Sequence, residues 1–386
     1  MQKLAIIGAS YLQVPLIERA REMGIETHVF AWAMGAEPGK DCSDQFYPVS
    51  ITEKEQILEI CEAIQIDGIT SIGSDLAMPA VNYVADRMNL VGNSQECTIL
   101  TTNKHAMRVK LSENDLPCPK FQKTNSSDQV RESMAFPLMV KPTDRSGSRG
   151  VSKIYDREKL SGAIEKALSE SIVKEAIIEE FIEGREISVE MISWKGAHHL
   201  IAFTDKVCTG EPYFVEVEQH VPADLSPALK SRIETLVKRA LTVLGVEYGA
   251  SHTELLITKS EDIYIVEVGA RMGGDHIGSD LIPLSTGYDF LKGIIEIAMG
   301  EFTLPEIRQL KHSGIYYITP QSGRVTAIRN NAVYFQHIVR SNILVNIHDE
   351  ISYPVTDSSQ RSAYIIYVCD KVASIDPEKV ICIQTE

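Results

Sequence analysis

The sequence predicts a protein of mixed α/β and α+β class that begins with a parallel α/β domain. Strand and helix patterns alternate over the first 100 residues, and strands paired through short turns dominate from about residue 101 onward. The 386 residues correspond to two or three domains at about 150 residues each. We therefore expect an N-terminal domain over 1–100, a central domain over 101–300 and a C-terminal α+β subdomain over 301–386.

The N-terminal domain is predicted from apolar runs that alternate with helical periodicity. The runs at 4–7, 27–30 and 68–72 predict strands, and the apolar spacing over 12–23 and 53–64 predicts the helices between them. This order predicts a parallel sheet with helices on both faces. The first turn, Gly8-Ala9-Ser10-Tyr11-Leu12, lacks the later glycines of a dinucleotide fingerprint, which argues against a Rossmann dehydrogenase.

Composition and charge exclude several classes of partner. The net charge of −15 opposes overall attraction to nucleic acid or to an anionic membrane. No apolar run approaches the roughly 20 residues of a membrane span. The seven cysteines are widely spaced and odd in number, which predicts neither a disulfide framework nor a zinc site. We expect a cytoplasmic protein that acts on small molecules, with no nucleic acid and no membrane as partner.

A lysine followed by a glycine-rich loop forms the first candidate site. A short apolar strand ends at Lys141-Pro142, and the small residues of 143–150 follow. The N–H groups of such a loop can turn toward a phosphate while the lysine supplies a positive charge. The Gly-Lys-Ser of a Walker motif is absent from this stretch. A mobile surface loop is the alternative interpretation.

An acidic turn after an apolar strand forms the second candidate site. The apolar pattern of 177–182 stops at Glu183-Gly184, and period-2 alternation resumes over 187–191. Exposed backbone groups at such a crossover suit the edge of an adenine ring, and Glu186 is placed to accept hydrogen bonds from ribose hydroxyls. A solvated acidic hairpin is the alternative interpretation.

Two glutamates on a predicted hairpin form the third candidate site. If Thr258 pairs with Ile263 across the turn 259–262, Glu254 lies directly opposite Glu267. Opposed side chains have Cβ atoms about 4.5–5.5 Å apart, and like charges at that distance repel. A divalent cation removes the repulsion, and carboxylates with phosphate oxygens are common magnesium ligands. The apolar neighbours favour this metal site over a solvated acidic face.

In this order, the three stretches resemble the ATP-grasp superfamily, and most closely the branch of biotin carboxylase, carbamoyl-phosphate synthase and the L-amino acid ligases. The resemblance covers about residues 1–300. It implies ATP held between two α+β subdomains, with a flexible lid over about 120–185. The implied site residues are Lys104, Lys141, Ser146, Gly147 and Ser148 for phosphate, Glu179, Glu180, Phe181 and Ile182 for adenine, Glu186 for ribose, Glu254 and Glu267 for Mg²⁺ or Mn²⁺, and Arg271 for the carboxylate and its acyl phosphate.

One position departs from the family pattern. Many members carry Asn two residues after the second metal-binding glutamate, where this chain has Gly269. Glycine offers no side-chain ligand, so one bound metal ion and two both remain open. The candidates for a substrate pocket, each with a structural role as the alternative, are His252, Gly273, Gly274 and His276.

The resemblance implies an ADP-forming ligase that joins a carboxylate to an amine through an acyl phosphate, with amino acids as one class of substrate. Arg271 and Lys141 are the implied catalytic residues, ATP and Mg²⁺ the cofactors, and a homodimer the implied assembly. The alternatives are an enzyme that phosphorylates bicarbonate, like a carboxylase or carbamoyl-phosphate synthase, and a non-catalytic ATP-binding protein.

Overall fold

The N-terminal part alternates short strands with helices, as the sequence predicts. The computed structural model describes residues 1–33, 35, 37–126, 130, 134–371 and 375–386. The elements of this part are β1 (Lys3–Ile7), α1 (Val14–Glu22), β2 (Glu26–Phe30), α2 (Pro38–Cys42), β3 (Gln45–Tyr47), α3 (Lys54–Ile64), β4 (Gly68–Thr70), α4 (Met78–Arg87), α5 (Gln95–Thr102) and α6 (Lys104–Glu113). The strands pair in the order β3-β2-β1-β4, and each pairing is parallel. The predicted parallel sheet is confirmed.

Apolar burial explains why the strands and helices of this sheet form. Helix α1 buries Leu16, Ile17 and Ala20 against the sheet, and Gly24 follows it with a φ of +76°, which a glycine adopts without strain. The sequence prediction missed β3, which has three residues, none of them fully buried. The predicted third strand is therefore the fourth, and it ends at Thr70.

A small antiparallel sheet follows in the region predicted to be the lid. Its elements are β5 (Phe121–Thr124), β6 (Leu138–Pro142), β7 (Ser152–Ile154), α7 (Leu160–Glu170) and β8 (Ala176–Glu180). The strand order is β5-β8-β6-β7. Helix α7 packs on one face through Leu160 and Ile164, which contact the core around Val140 and Ile178. Part of the predicted lid, 127–129 and 131–133, lies outside the described residues.

An eight-stranded antiparallel sheet carries most of the remaining chain. The elements are β9 (Arg185–Trp194), β10 (Ala197–Cys208), β11 (Glu216–Val221), α8 (Pro227–Val243), β12 (Gly249–Ile257), β13 (Ile263–Gly269), α9 (Ile282–Thr286), α10 (Phe290–Ala298), β14 (His312–Ile318), β15 (Gly323–Asn330), β16 (Ile338–Ile343), β17 (Glu350–Ile351), β18 (Ala363–Cys369), α11 (Pro377–Val380) and β19 (Ile381–Thr385). The strand order is β13-β12-β9-β10-β11-β14-β18-β16, and a separate three-stranded sheet has the order β17-β15-β19.

Two helices cover the large sheet and fix the position of its central strands. Helix α8 begins at the Ser226 cap and buries Ile233 and Val237 against β9 and β12. Helix α10 is mostly buried and joins the sheet to the N-terminal part through the core around Phe290. No helix in the described part of the chain is long and apolar enough to cross a membrane.

Candidate active site

A cavity of about 1150 Å³ opens between the N-terminal part, the small sheet and the large sheet. Most of the residues singled out from the sequence line it. These are Lys104, Lys141, Ser146, Gly147, Ser148, Glu179, Glu180, Phe181, Ile182, Glu186, His252, Glu254, Glu267, Arg271 and Gly274. Such a concave site with convergent polar groups is the usual form of a small-molecule site.

Two of the predicted residues lie behind the cavity wall. The Gly273 N–H donates to Glu190 Oε2 at 3.3 Å. The His276 ring packs on Tyr364 with centroids 4.6 Å apart, and its Nδ1 contacts Asp280 Oδ2 at 2.9 Å. Both residues therefore shape the loop after β13 from the side that faces the core.

Lys141 lies at the end of β6 and pairs with a carboxylate that is also held by an arginine. Its Nζ is 2.8 Å from Glu179 Oε2, and Arg108 Nε donates to Glu179 Oε1 at 2.6 Å. Burial favours the neutral form of Glu179, but Arg108 and Lys141 outweigh it and lower the pKa of this carboxyl to about 2. The Glu179 side chain is therefore an ionised anchor for Lys141.

Lys104 connects the glycine-rich loop to the predicted metal-binding hairpin. Its Nζ donates to the Arg145 carbonyl at 2.6 Å and to Glu267 Oε1 at 2.8 Å. Burial alone would lower the pKa of Lys104, but the Glu267 carboxylate outweighs burial and raises this pKa above its ordinary value, so the lysine is charged. The loop also contacts the large sheet, because the Ser148 hydroxyl donates to the Phe214 carbonyl at 3.0 Å.

The predicted pairing of Glu254 with Glu267 in β12 and β13 is confirmed, although the predicted register at the turn is wrong. Ile263 pairs with Ile257, not with Thr258, and a bulge beside Glu254 shifts the register by one residue. The bulge adds a residue to one strand and thereby restores the opposition of the two glutamates. The sequence predicted the right pair because the one-residue error at the turn and the one-residue shift at the bulge cancel.

A buried lysine that the sequence analysis did not single out lies at the centre of the acidic residues. Lys206 Nζ is 3.1 Å from Glu186, 2.5 Å from Glu216 and 2.6 Å from Glu254. Burial, together with the like charges of Glu254 and others, raises the pKa of Glu216 to about 7, although Lys206 lowers it. The cluster therefore holds more negative charge than its lysine compensates.

The carboxylates around Lys206 could hold a divalent metal ion, although the lysine ammonium contacts all three of them. Among the residues that the structure describes, Glu186, Glu216 and Glu254 place one oxygen each within 4.8 Å of one another. Glu267 does not belong to that group and pairs with Lys104 instead. Hard oxygen ligands of this kind suit Mg²⁺. Glu254 as a metal ligand fits the cluster, and Glu267 stays a prediction from the hairpin.

His252 is held between two carboxylates on β12 and β9. Its Nδ1 contacts Glu190 Oε1, and its Nε2 is 3.2 Å from Glu254 Oε1. Burial favours the neutral ring, but the two glutamates raise the pKa of His252 to about 9. The histidine is therefore an imidazolium that neutralises part of the acidic cluster.

Arg271 forms a two-point ion pair with an aspartate from the N-terminal part. Its Nε donates to Asp75 Oδ1 at 2.8 Å and its Nη2 to Asp75 Oδ2 at 2.9 Å. A Cβ added at Gly269 would lie 3.1 Å from Asp75 Oδ1 and 3.2 Å from Arg271 Cζ. Asp75 and Arg271 therefore border the space that a side chain at position 269 would occupy.

A second two-point pair joins the same loop to the C-terminal part. Arg361 Nη1 and Nη2 donate to Asp275 Oδ2 and Oδ1 at 2.8 and 2.7 Å. Burial opposes ionisation of Asp275, but Arg361 lowers its pKa to about 2. The pair lines the cavity.

Sequence reasoning missed Asp75, Lys206 and Arg361, and two of them carry a signal. Asp75 follows β4 by five residues, at the carboxyl edge of the parallel sheet, where ligand sites of such sheets lie. Lys206 interrupts the apolar pattern of β10, and a lysine in a buried strand requires anionic partners. Arg361 stands in a polar segment without any periodic pattern.

Known proteins resemble this chain in sequence and in fold. A family model for the ATP-grasp domain matches residues 134–280. The D-alanine–D-alanine ligase of Flavobacterium johnsoniae is 31% identical over 295 residues, which cover 70% of this chain and 86% of that protein. The alanine–anticapsin ligase of Bacillus subtilis (strain 168) is 26% identical over 245 residues, 57% of this chain and 51% of that protein.

A solved structure supports the fold over nearly the whole chain. The L-amino acid ligase of Bacillus licheniformis superposes with a TM-score of 0.82 at 24% identity, covering 96% of this chain and 94% of that one. The chain belongs to the ATP-grasp family, and the resemblance seen in the sequence is confirmed. The matches span about half the length of the first curated relatives.

Proposed function

We propose that this chain is an ATP- and Mg²⁺-dependent carboxylate–amine ligase that works through an acyl phosphate and acts on amino acids. The observation that carries this proposal is the convergence of Lys104, Lys141, Glu254 and Arg271 on one cavity. Phosphoryl transfer needs positive groups and a metal-binding carboxylate around the phosphates more than it needs covalent chemistry. This cavity offers both within a single site.

Lys104 and Lys141 have the role of holding the phosphates of ATP. Each lysine is held by a buried or half-buried carboxylate, so its ammonium is placed before any ligand arrives. Glu254 and Glu267 would hold Mg²⁺, and a bound Mg²⁺ would neutralise negative charge on the phosphates. The backbone after β8 and the Glu186 carboxylate are assigned to adenine and ribose.

Arg271 has the role of binding the carboxylate that is activated. Its guanidinium already holds the Asp75 carboxylate through two parallel N–H···O bonds. Asp75 occupies the Nε and Nη2 side of the guanidinium, which leaves Nη1, a long donor to the Met272 carbonyl at 3.3 Å, to donate to a substrate carboxylate or to the acyl phosphate formed from it. The amine then attacks the activated carbonyl carbon, and phosphate leaves.

Amino acids are the proposed substrates because of the relatives. Alanine appears in the names of both curated ligases, and the superposed structure is an L-amino acid ligase. Homodimerisation stays a prediction, which the mass measured by light scattering tests.

The test is to trap the activated carboxylate. A mixture of the protein, ATP, Mg²⁺ and the correct amino acid is expected to release ADP on adding hydroxylamine and to yield a hydroxamate. Arg271→Ala is expected to suppress hydroxamate formation at least about tenfold, because it removes charged hydrogen bonds. Arg308→Ala is the matched control, since Arg308 is exposed and lies outside the cavity.

Three results would contradict the proposal in different ways. ADP release that depends on bicarbonate and never yields a hydroxamate would indicate the carboxylase-like alternative. ATP binding without ADP release across a panel of carboxylates would indicate a non-catalytic binding protein. Equal hydroxamate yields from Arg271→Ala and Arg308→Ala would remove Arg271 from the reaction.

A further inference from the structure

Lys206 lies where three carboxylates of the cavity wall converge. Its side chain on β10 is 1% exposed, and its partners Glu186, Glu216 and Glu254 come from β9, β11 and β12. One oxygen of each glutamate is 3.1 Å or less from the lysine nitrogen. Lysine is rarely buried without anionic partners, so these contacts hold the ammonium in place. We call the three carboxylates the three-glutamate cluster.

The ammonium fills the space in which a divalent ion would bind the whole cluster. The three glutamates place one oxygen each within 4.8 Å of one another, and Lys206 Nζ is 2.5 Å from a Glu216 oxygen. A Mg²⁺ ion bound at about 2.1 Å to that same oxygen would lie less than about 5 Å from the nitrogen. Two cations at such a distance repel strongly, because a buried site screens charge poorly.

The two glutamates opposed on the hairpin each have one oxygen engaged by a cation. Lys206 and His252 both contact Oε1 of Glu254. Lys104 donates to Oε1 of Glu267. The Oε2 atom of either glutamate takes no hydrogen bond from the residues that the structure describes. A metal ion at the hairpin therefore meets two carboxylate oxygens, which is fewer than the octahedral shell of Mg²⁺ requires.

We propose that Lys206 is the resident cation of the three-glutamate cluster and that its ammonium excludes a divalent ion that arrives without a nucleotide. A divalent ion is then limited to the second oxygens of Glu254 and Glu267, and water and the phosphates of ATP supply its remaining ligands. The metal therefore binds together with the nucleotide and not before it. Lys206 acts through the carboxylates that it holds, so it is a positioning residue.

The proposal rests on the proposed function for the identity of the nucleotide, but its test requires no turnover. Lys206→Met removes the positive charge and keeps an unbranched side chain of similar length. The three carboxylates then repel one another, and a divalent ion is the cation that relieves the repulsion. The variant is therefore expected to turn the cluster into a site for free metal ions. A residue with a merely structural role would not produce this gain when it is removed.

The test measures metal binding in the absence of nucleotide. Mn²⁺ is the probe, since electron paramagnetic resonance distinguishes its free and bound forms. Lys206→Met is expected to lower the Kd for Mn²⁺ at least about tenfold relative to the unaltered protein. Mn²⁺ is also expected to raise the melting temperature of this variant more than that of the unaltered protein. Lys206→Arg keeps the charge and is expected to bind Mn²⁺ as weakly as the unaltered protein.

Lys153→Met is the matched control. Lys153 is a lysine on β7 whose side chain is 8% exposed and pairs with Glu211, and it lies outside the cavity lining. Its loss is expected to leave the Kd for Mn²⁺ unchanged. If Lys206→Met does not fold, the same substitution is combined with Glu216→Gln, which lowers the repulsion among the carboxylates. The double variant is expected to bind Mn²⁺ more tightly than Glu216→Gln alone.

The outcomes separate this proposal from the proposed function. If Lys206→Met and the unaltered protein bind Mn²⁺ with the same Kd, or if the double variant gains nothing over Glu216→Gln, the ammonium excludes no metal and the proposal is refuted. An equal gain in Lys153→Met would refute it as well, because the loss of any lysine would then have this effect. Absence of hydroxamate with every carboxylate would refute the ligase and leave these binding measurements unaffected.

Discussion

Glu179→Gln is expected to destabilise the protein strongly and to remove a specific part of its acid sensitivity. The carboxylate is 1% exposed and binds Arg108 and Lys141. Glutamine keeps the size of the side chain but removes its charge. Arg108 is then left buried without an anion, and Arg108 has no exposed surface.

Two routes give a similar magnitude for this loss. The pKa of Glu179 is about 2 in the folded protein against an ordinary value of 4.5. This difference of about 2.5, at about 1.4 kcal/mol for each pKa unit, corresponds to about 3 kcal/mol. Removing one partner of a buried ion pair typically costs about 3–5 kcal/mol. We therefore expect the free energy of unfolding to fall by about 3 kcal/mol at pH 7.

The pH dependence gives the sharper measurement. A lowered folded pKa means that the stabilisation is complete above pH 4.5 and is lost as the pH falls toward 2. In urea denaturation, the free energy of unfolding is expected to fall less between pH 7 and pH 3 for Glu179→Gln than for the unaltered protein. Glu180→Gln is the control, because its partner Lys120 is exposed and ion pairs at the surface contribute about 0–1 kcal/mol. Parallel pH profiles for all three proteins would refute the reasoning.

Two further predictions concern Glu254, which lines the cavity, and Gly269, which lies next to the cavity residue Asp75. Glu254→Gln, measured without Mg²⁺, is expected to lower the free energy of unfolding by about 1–3 kcal/mol, because buried Lys206 and His252 lose a partner. A higher free energy of unfolding in urea denaturation would mean that repulsion between Glu254 and Glu267 dominates instead. Gly269→Ala is expected to cost about 1–3 kcal/mol in thermal denaturation, because its Cβ would press on Asp75, whereas Gly162→Ala in α7 meets no atom within 4 Å and is expected not to destabilise.

The elements that could be predicted from the sequence are those whose pattern is local. Strand β1 is a continuous apolar run and helix α3 has apolar residues at helical spacing, and each lies within one residue of its predicted bounds. Strand β3 has too few buried residues to produce a pattern, and the bulge beside Glu254 leaves no mark on apolar alternation. The register of β12 with β13 could therefore be determined only from the observed strand pairing.

The position of a residue at the cavity was predictable where one sequence segment contains both that residue and the neighbours that suggest its role. Lys141 and the loop after it stand together in the sequence, and so do the glutamates of one hairpin. Lys206 was not predictable as a hub, because its three carboxylates come from three other strands. The repulsion predicted between Glu254 and Glu267 is likewise incomplete, because the sequence pattern does not show that buried Lys206 and His252 contact Glu254.

The two aspartate–arginine pairs on the loop after β13 also constrain the order in which the chain folds. Asp75 is 196 residues from Arg271, and Arg361 is 86 residues from Asp275. Contacts across such separations form late, because closing long loops is costly in entropy. The loop therefore receives its final shape only after the first and the last parts of the chain are both in place. A nascent chain that ends before residue 361 lacks the partner of Asp275, so this wall of the cavity is completed only after Arg361 has been synthesised.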